Sequence, residues 1–326
     1  MRAFVVSASD DTVETSVRDE PMPQRDDVIV KVEWSGVNFK DSMVVAPSSR
    51  VRRSARLIGG VDAAGIVAES TDPQLPVGTP VAVHGGDMGV GRNGGFAEYV
   101  ASPSRYVTAL PSNVTTRTAM ILGTAGFTAF ASIRALELHA LAPSDGEVLV
   151  TGATGGVGSW AVAALAARGY HVVASTGSTA SHEWLRAHGA STIIGRDDIA
   201  DRPERVLGTE RWAGAVDCVG GTTLHQILRS LRYGAAVAAS GLVASADLAT
   251  NVYPFITRSV ALLGIDAVEA TATTRHETWR LVSDAIDDID VESLVDSEIS
   301  LEEIPEALRT ISDGATQGRI LVRPTN

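Results

Sequence analysis

Residues 148–158 read VLVTGATGGVG: an apolar run, then a turn with glycine at 152, 155, 156 and 158. An alanine-rich segment follows over residues 159–167 (SWAVAALAA) and stops before Gly169. The first part has the character of a strand, and the last that of a helix closed by a glycine. Glycine lacks Cβ, so its backbone takes positive φ and comes close to an anion, which the free N–H groups and positive dipole end of the helix attract. Strand, glycine turn and helix in this order hold the pyrophosphate of a dinucleotide. The spacing GxxGGxG departs from the commonest fingerprint, so context has to support it. A second strand over residues 170–174 (YHVVA) completes a βαβ unit with a right-handed crossover. Thr154, Gly155, Gly156 and Val157 are the predicted phosphate contacts; a tight turn without a ligand is the alternative.

The end of that second strand discriminates between nicotinamide nucleotides. An NAD site places Asp or Glu about 20 residues beyond the glycines, on the ribose 2′-hydroxyl. Here the chain reads Ser175-Thr176-Gly177-Ser178. No carboxylate repels a 2′-phosphate, and hydroxyl and N–H groups are at hand to bond one, so NADPH is the expected cofactor. Arg196, just past a third strand at residues 192–194, is either the counter-charge or a solvated loop arginine.

With 326 residues, 44% of them hydrophobic, and 31 glycines, the chain suits an α/β protein of two domains. Its net charge of −12 argues against nucleic acid or an anionic membrane as partner. Cys218 is the only cysteine, so no intrachain disulfide and no thiolate zinc cluster can form, and the cytoplasm is the expected compartment. No apolar stretch is read as reaching the roughly 20 residues of a membrane span. The seven histidines are scattered, and no metal site is expected.

Short β-rich runs such as residues 27–32 and 77–83 make the first 115 or so residues an all-β, barrel-like region. From residue 118 helix and strand alternate: a helix at 120–138, strands at 213–219, 235–240 and 260–265, and a helix at 224–231. Helices at 277–289 and 301–312 and a closing strand at 319–322 follow, the tail returning to the first domain. The expected fold is therefore α/β, with a Rossmann-type doubly wound parallel sheet beside a β-rich barrel domain. Ligands of such sheets lie at the carboxyl ends of the strands, which adds Val219, Gly220, Gly241 and Leu242 to the nucleotide contacts.

The motifs GGFAEY (94–99) and GTAGFTA (123–129), in this order before the glycine turn, resemble the medium-chain dehydrogenase/reductase superfamily. SGVNFKD (35–41), GVDAAG (60–65), YPFITRSV (253–260) and GID (264–266) are similar to its zinc-free acrylyl-CoA reductase branch, also named quinone oxidoreductases. The resemblance runs along almost the whole chain. It implies a GroES-like domain over 1–117, a Rossmann domain over 118–262 and a returning segment over 263–326. It also implies NADPH-dependent reduction of the carbon–carbon double bond of a short unsaturated acyl-CoA such as acryloyl-CoA. Reduction of a quinone or enone is the alternative, and a dinucleotide-binding protein without turnover is a second. Thr124, Thr128, Gly264, Ile265 and Gln317 join the cofactor contacts by resemblance, Asn38, Phe39 and Lys40 become the catalytic candidates, and a homodimer pairs through the strand at 260–265. The small-molecule substrate is expected in the cleft between domains.

Zinc-dependent alcohol dehydrogenases of the superfamily carry a metal-binding cysteine and histidine where this chain has Asn38 and Val61. Without a metal, an enolate needs oriented donors, for which Asn38, Lys40 and the N–H groups of residues 124–126 are available. Two positions depart from the branch: Phe39 replaces a tyrosine, and Ser178 replaces the arginine that clamps the 2′-phosphate. Lys40 is either an active-site donor or half of an ion pair with a carboxylate such as Asp41. The basic run at residues 50–56 (RVRRSAR) either attracts the phosphates of coenzyme A or is solvated surface.

Overall fold

The computed structural model describes residues 1–9, 12–24, 26–199 and 205–325. The chain divides into two compact units, one of Met1–Ala125, Ala267–His276 and Val291–Asn326, the other of Gly126–Asp266 and Glu277–Asp290.

In the first unit, β1 (Arg2–Ala8) pairs antiparallel with β2 (Val13–Asp19). Then come β3 (Val28–Val37), the short helix α1 (Phe39–Val45), β4 (Arg56–Ile58), β5 (Asp62–Ser70), β6 (Pro80–His84), β7 (Tyr99–Ser102) and β8 (Val107–Ala109). β3 lies antiparallel to both β5 and β7, and β6 bridges β5 to β8. Alternate residues Val28, Val30 and Val32 of β3 point into one core with Ala63, Val67, Val81, Val83 and Val100, the period of two that a half-buried strand imposes.

Helix α2 (Thr116–Leu138) carries the chain into the second unit and breaks at Gly123, whose φ of 54° and ψ of −164° are outside helical geometry. Six parallel strands follow: β9 (Glu147–Thr151), β10 (His171–Ser175), β11 (Thr192–Ile194), β12 (Trp212–Asp217), β13 (Leu231–Ala239) and β14 (Ala261–Gly264). Helices α3 (Gly156–Ala167), α4 (His182–Ala187), α5 (Gly221–Ser230) and α6 (Tyr253–Arg258) stand between them. The strand order β11-β10-β9-β12-β13-β14 is that of the doubly wound dinucleotide fold. In α3 the residues from Gly158 to Leu165 are all buried, and its alanines let the helix lie close on the sheet while Trp160 meets Phe130 at 6.2 Å between ring centroids. α7 (Ala272–Ala285), β15 (Val295–Ile299), α8 (Ile304–Ser312) and β16 (Arg319–Val322) end the chain, and β16 pairs antiparallel with β3, so the tail does return to the first unit.

The membrane reading from sequence needs a correction. α2 is 23 residues long and apolar enough to cross a bilayer by length and composition alone, but 83% of its most apolar window is buried inside the protein. Its apolarity is that of a core helix, and packing rather than lipid explains it.

Candidate functional site

In the second unit the predicted nucleotide contacts gather at the carboxyl ends of the strands. β9 runs into the turn, Gly152 takes φ 58° and Gly155 forms the N-terminal cap of α3 in extended backbone. The N–H groups of Gly156 and Val157 stand in the first helical turn, where no intrahelical acceptor exists. A Cβ built on Gly155 meets only Gly152 O at 3.4 Å, so the side facing away from the helix is open. A Cβ on Gly158 would lie 2.1 Å from Gly152 O; only glycine lets the helix sit against the turn there. Open N–H donors, a helix dipole and uncluttered backbone fit a pyrophosphate.

Beside this turn, Thr151 and Asp217 are buried. Thr151 Oγ1 donates to Asp217 Oδ1 at 2.6 Å and accepts the N–H of Cys218 at 3.1 Å. The N–H groups of Val219 (3.3 Å) and Gly220 (2.9 Å) donate to the two Asp217 oxygens. The carboxylate thus holds the loop that presents Val219 and Gly220, and Ala244 N–H to Val219 O at 2.9 Å brings the segment with Gly241 and Leu242 alongside. Burial pushes the Asp217 carboxyl up, against the pull of its Thr151, Gly220 and Val219 bonds. At the end of β10, Ser175 and Thr176 are buried and Ser178 half-buried, its N–H donating to Thr176 Oγ1 at 3.0 Å. Gly264 ends β14 and Ile265 follows it, its N–H on Ala239 O at 3.0 Å. Thr128 is buried in α2, and Thr154 is half-buried in the turn.

The first unit holds Asn38, Phe39, Lys40, Thr124 and Gln317, and at their centre a charge cluster not foreseen from sequence. Asp62 and Arg319, 0% and 2% exposed, approach to 3.5 Å. Asn38 Nδ2 donates to Asp62 Oδ2 at 2.7 Å and to Gly36 O at 3.2 Å, while Asn38 Oδ1 accepts Arg319 Nη1 at 3.1 Å. The N–H of Thr124 donates to both Asp62 oxygens at 3.0 and 3.1 Å, and its hydroxyl donates to Oδ1. Asp41, also buried, accepts the N–H of Asn38 at 2.8 Å and that of Val61 at 3.1 Å. Burial pushes its carboxyl up to about 7, with the nearby Asp62 charge acting in the same direction. A lone acid heading an apolar strand (DAAG) and a lone arginine heading another (RILV) are the signal that points to such a pair, because neither charge is buried without a partner.

This geometry narrows the catalytic candidates. Both Asn38 amide hydrogens and the Thr124 N–H are taken by the cluster, which corrects the expectation that they serve an enolate. Phe39 and Lys40 open α1, both half-buried. Lys40 makes no side-chain hydrogen bond or ion pair among the described residues, and the oxygens of Asp41 face the N–H groups of Asn38 and Val61 instead. The ion-pair alternative for Lys40 is not realised. Gln317 is half-buried two residues before Arg319. The arginine run is largely committed elsewhere: Arg52 Nη1 donates to Val44 O and Ala46 O, Arg53 pairs with Asp87, and Arg56 with Glu20. These contacts favour the structural reading of that run over the coenzyme A one.

Comparison with known proteins agrees with this picture. Residues 24–112 match the family model described as alcohol dehydrogenase GroES-like domain, and residues 156–287 that described as zinc-binding dehydrogenase. The chain is 42% identical over 308 residues to a protein named a quinone oxidoreductase, YhfP, of Bacillus subtilis, covering 94% of this chain and 93% of that one. It is 40% identical over 326 residues to one named an acrylyl-CoA reductase, AcuI, of Escherichia coli, covering 99% of each. Among solved structures, Escherichia coli YhdH with bound NADPH superposes with a TM-score of 0.93 at 39% identity, covering 99% of this chain and 100% of that one. Bacillus subtilis YhfP with NAD bound has a TM-score of 0.93 at 41% identity, covering 99% and 98%. Zinc does not fit the residues present: the region holds an amide with its groups engaged and a carboxylate already facing a guanidinium, and a cation there would meet Arg319. The chain belongs to the medium-chain dehydrogenase/reductase superfamily, in the zinc-independent branch that includes acrylyl-CoA reductases and quinone oxidoreductases.

Proposed function

We propose that the protein is an NADPH-dependent reductase of the double bond of a short α,β-unsaturated acyl-CoA, of which acryloyl-CoA is the model substrate. The observation that supports it most is the Asn38–Asp62–Arg319 cluster, which occupies with hydrogen bonds the region where alcohol dehydrogenases of the superfamily carry metal ligands. Carbonyl polarisation then falls to side-chain donors. That suits conjugate addition, in which charge develops on a thioester oxygen, better than alkoxide oxidation. When bound, the nicotinamide supplies a hydride to the β-carbon of the substrate.

The glycine turn and the first N–H groups of α3 bind the pyrophosphate. Thr124, Thr128, Thr154, Val157, Val219, Gly220, Gly241, Leu242, Gly264, Ile265 and Gln317 are the proposed further contacts of the dinucleotide. Asp217 and Thr151 keep the β12–α5 loop in place for it. Phe39 supplies an apolar face and no proton. Lys40 steadies the enolate oxygen as its negative charge forms, and the α-carbon takes its proton from Lys40 or from water. Turnover of acryloyl-CoA and crotonyl-CoA, against a small quinone, followed as loss of reduced-nicotinamide absorbance, tests the reading. Faster turnover of the thioesters supports it. Turnover of the quinone alone would give the chain the activity for which YhfP is named.

The second unit ends on an open sheet edge, β14. Leu242, Val243, Val252, Tyr253, Ile256 and Leu262 are 38% to 71% exposed on the segments leading to and forming it. We infer that a second copy of the chain covers this edge in a homodimer, since an uncovered apolar edge strand invites uncontrolled pairing. The single cysteine, half-buried just past β12, is compatible with a reducing cytoplasm.

A further inference from the structure

The parallel sheet of the second unit has two ends, and the nucleotide contacts described above use only the carboxyl one. At the amino end β13 is irregular. Trp212 of β12 pairs with Leu231, but Gly214 pairs with Ala236, so the four residues from Arg232 to Ala235 stand opposite the single Ala213. Gly234 lies in this bulge at φ 73°, and a Cβ built on it meets nothing within 4 Å. Bulges re-aim side chains and gather next to functional sites. An open cavity of about 320 Å³ lies here, lined by the bulge and by the end of α2, a volume at the small end of the range for small-molecule sites. Its apolar lining is Leu136, Leu141, Ala213, Ala235 and Ala236.

Arg232 brings a positive charge to this cavity. Its Nε donates to Arg211 O at 3.0 Å and its Nη1 to Asp145 O; both acceptors are neutral, and no carboxylate pairs with it among the described residues. Nη2 has no acceptor there either. The guanidinium is nonetheless seated, because a Cβ on Gly146 would lie 2.6 Å from Nη1 and 3.0 Å from Nη2. His139, exposed just past α2, also lines the cavity, and its ring forms no hydrogen bond among the described residues. Asp145 is the one acid in the lining, and its Oδ2 is turned to the N–H of Ala142 at 2.8 Å. Tyr233 is 70% exposed, fastened through its N–H to Glu210 Oε2 at 2.8 Å.

We propose that this cavity is a second small-molecule site, which takes a monocarboxylate with a flat apolar body: the carboxylate on the Arg232 guanidinium, the body between Tyr233 and the alanines of the lining. A guanidinium already held by two main-chain carbonyls is oriented before the ligand arrives, so little freedom is lost on binding, and its bond to a carboxylate is charge-assisted. An aromatic ring left so exposed gains by covering a flat partner. The site lies at the opposite end of the sheet from the glycine turn and stands apart from the dinucleotide reading.

Titration of the full-length protein with benzoate, and with benzamide as its uncharged counterpart, tests this by NMR with and without NADPH. Saturable binding of benzoate is expected, with the same affinity whether or not NADPH is present, and benzamide is expected to bind at least about 10-fold more weakly. Arg232→Ala should weaken benzoate by about 10–100-fold. Tyr233→Ala, a change at an exposed side chain that leaves the melting temperature in place, should weaken it by about 3–10-fold. Absence of saturable benzoate binding, or equal binding of benzamide by the wild-type protein, overturns the proposal whatever the variants do. Displacement of benzoate by NADPH would move the ligand to the glycine turn, and indifference to both substitutions would move it elsewhere on the surface; either result also overturns it, while the dinucleotide site stands.

Discussion

Lys40 occupies the first turn of α1, where a cation opposes the helix dipole at a cost of about 0.3–1 kcal/mol. Asp41 shares that turn, but its oxygens accept the N–H groups of Asn38 and Val61 and not the Lys40 ammonium; the proposed role of Lys40 in the reaction is therefore open to a direct test. Lys40→Met is expected to lower kcat for an enoyl-CoA by about 10²-fold, the lower end of acid–base contributions, with nucleotide affinity unchanged; steady-state kinetics beside a nucleotide titration checks the split. Asp41 gives a prediction in pH. Its acid is raised in the folded chain to about 7 from an ordinary 3.8, so the stability it contributes is full below about pH 4 and is lost as pH rises through about 7, at up to about 1.4 kcal/mol per unit. Asp217 is shifted in the same direction, and the difference between wild type and Asp41→Asn isolates the Asp41 share. Urea unfolding from acid to neutral pH should show the shallower decline in the variant. At this scale the sequence is legible where the reason is local, as in the turn into α3 at Gly155 and Gly156. It misses Asp62 with Arg319, because residues 257 positions apart in the chain meet only once β16 has returned to β3.

The β9-turn-α3 element was legible because each of its parts has one physical purpose: apolar residues for a buried strand, glycines for the bend and alanines for a close-packed helix. Gly158→Ala puts a methyl group 2.1 Å from Gly152 O, and the main chain of the turn has to move. Loss of NADPH binding by at least about 10-fold is expected, accompanied by a lower melting temperature, and calorimetric titration with a thermal melt measures both. Strand starts and ends follow the change of side-chain pattern closely in the parallel sheet, whereas β3 continues to Val37, five residues past the apolar run at 27–32. The tie between the ends of β10 and β11, Thr176 N–H on Ile194 O at 3.1 Å and Ser175 Oγ on Gly195 O at 3.5 Å, is not legible, since both acceptors are main-chain carbonyls that carry no trace in residue type.

At the level of the whole chain, alternation of helix and strand announces the parallel sheet, and glycine- and proline-broken β runs announce the barrel-like unit. The second unit also takes residues 277–290 from the C-terminal part of the chain, a long-range packing choice that periodicity does not encode. The exposed apolar edge belongs to this scale as well. Leu262→Arg places a charge on β14, and sedimentation velocity is expected to find a dimer for wild type and a monomer for the variant; a dimer in both would place the interface elsewhere. The proposed reaction is hydride delivery to carbon in a site where hydrogen bonds take the place of a metal. With chelator-treated enzyme, NADPH deuterated at nicotinamide C4 and crotonyl-CoA, mass spectrometry of the product is predicted to find deuterium on the β-carbon and none on the α-carbon. Unlabelled product, label on the α-carbon, or activity that returns only with added zinc would contradict it.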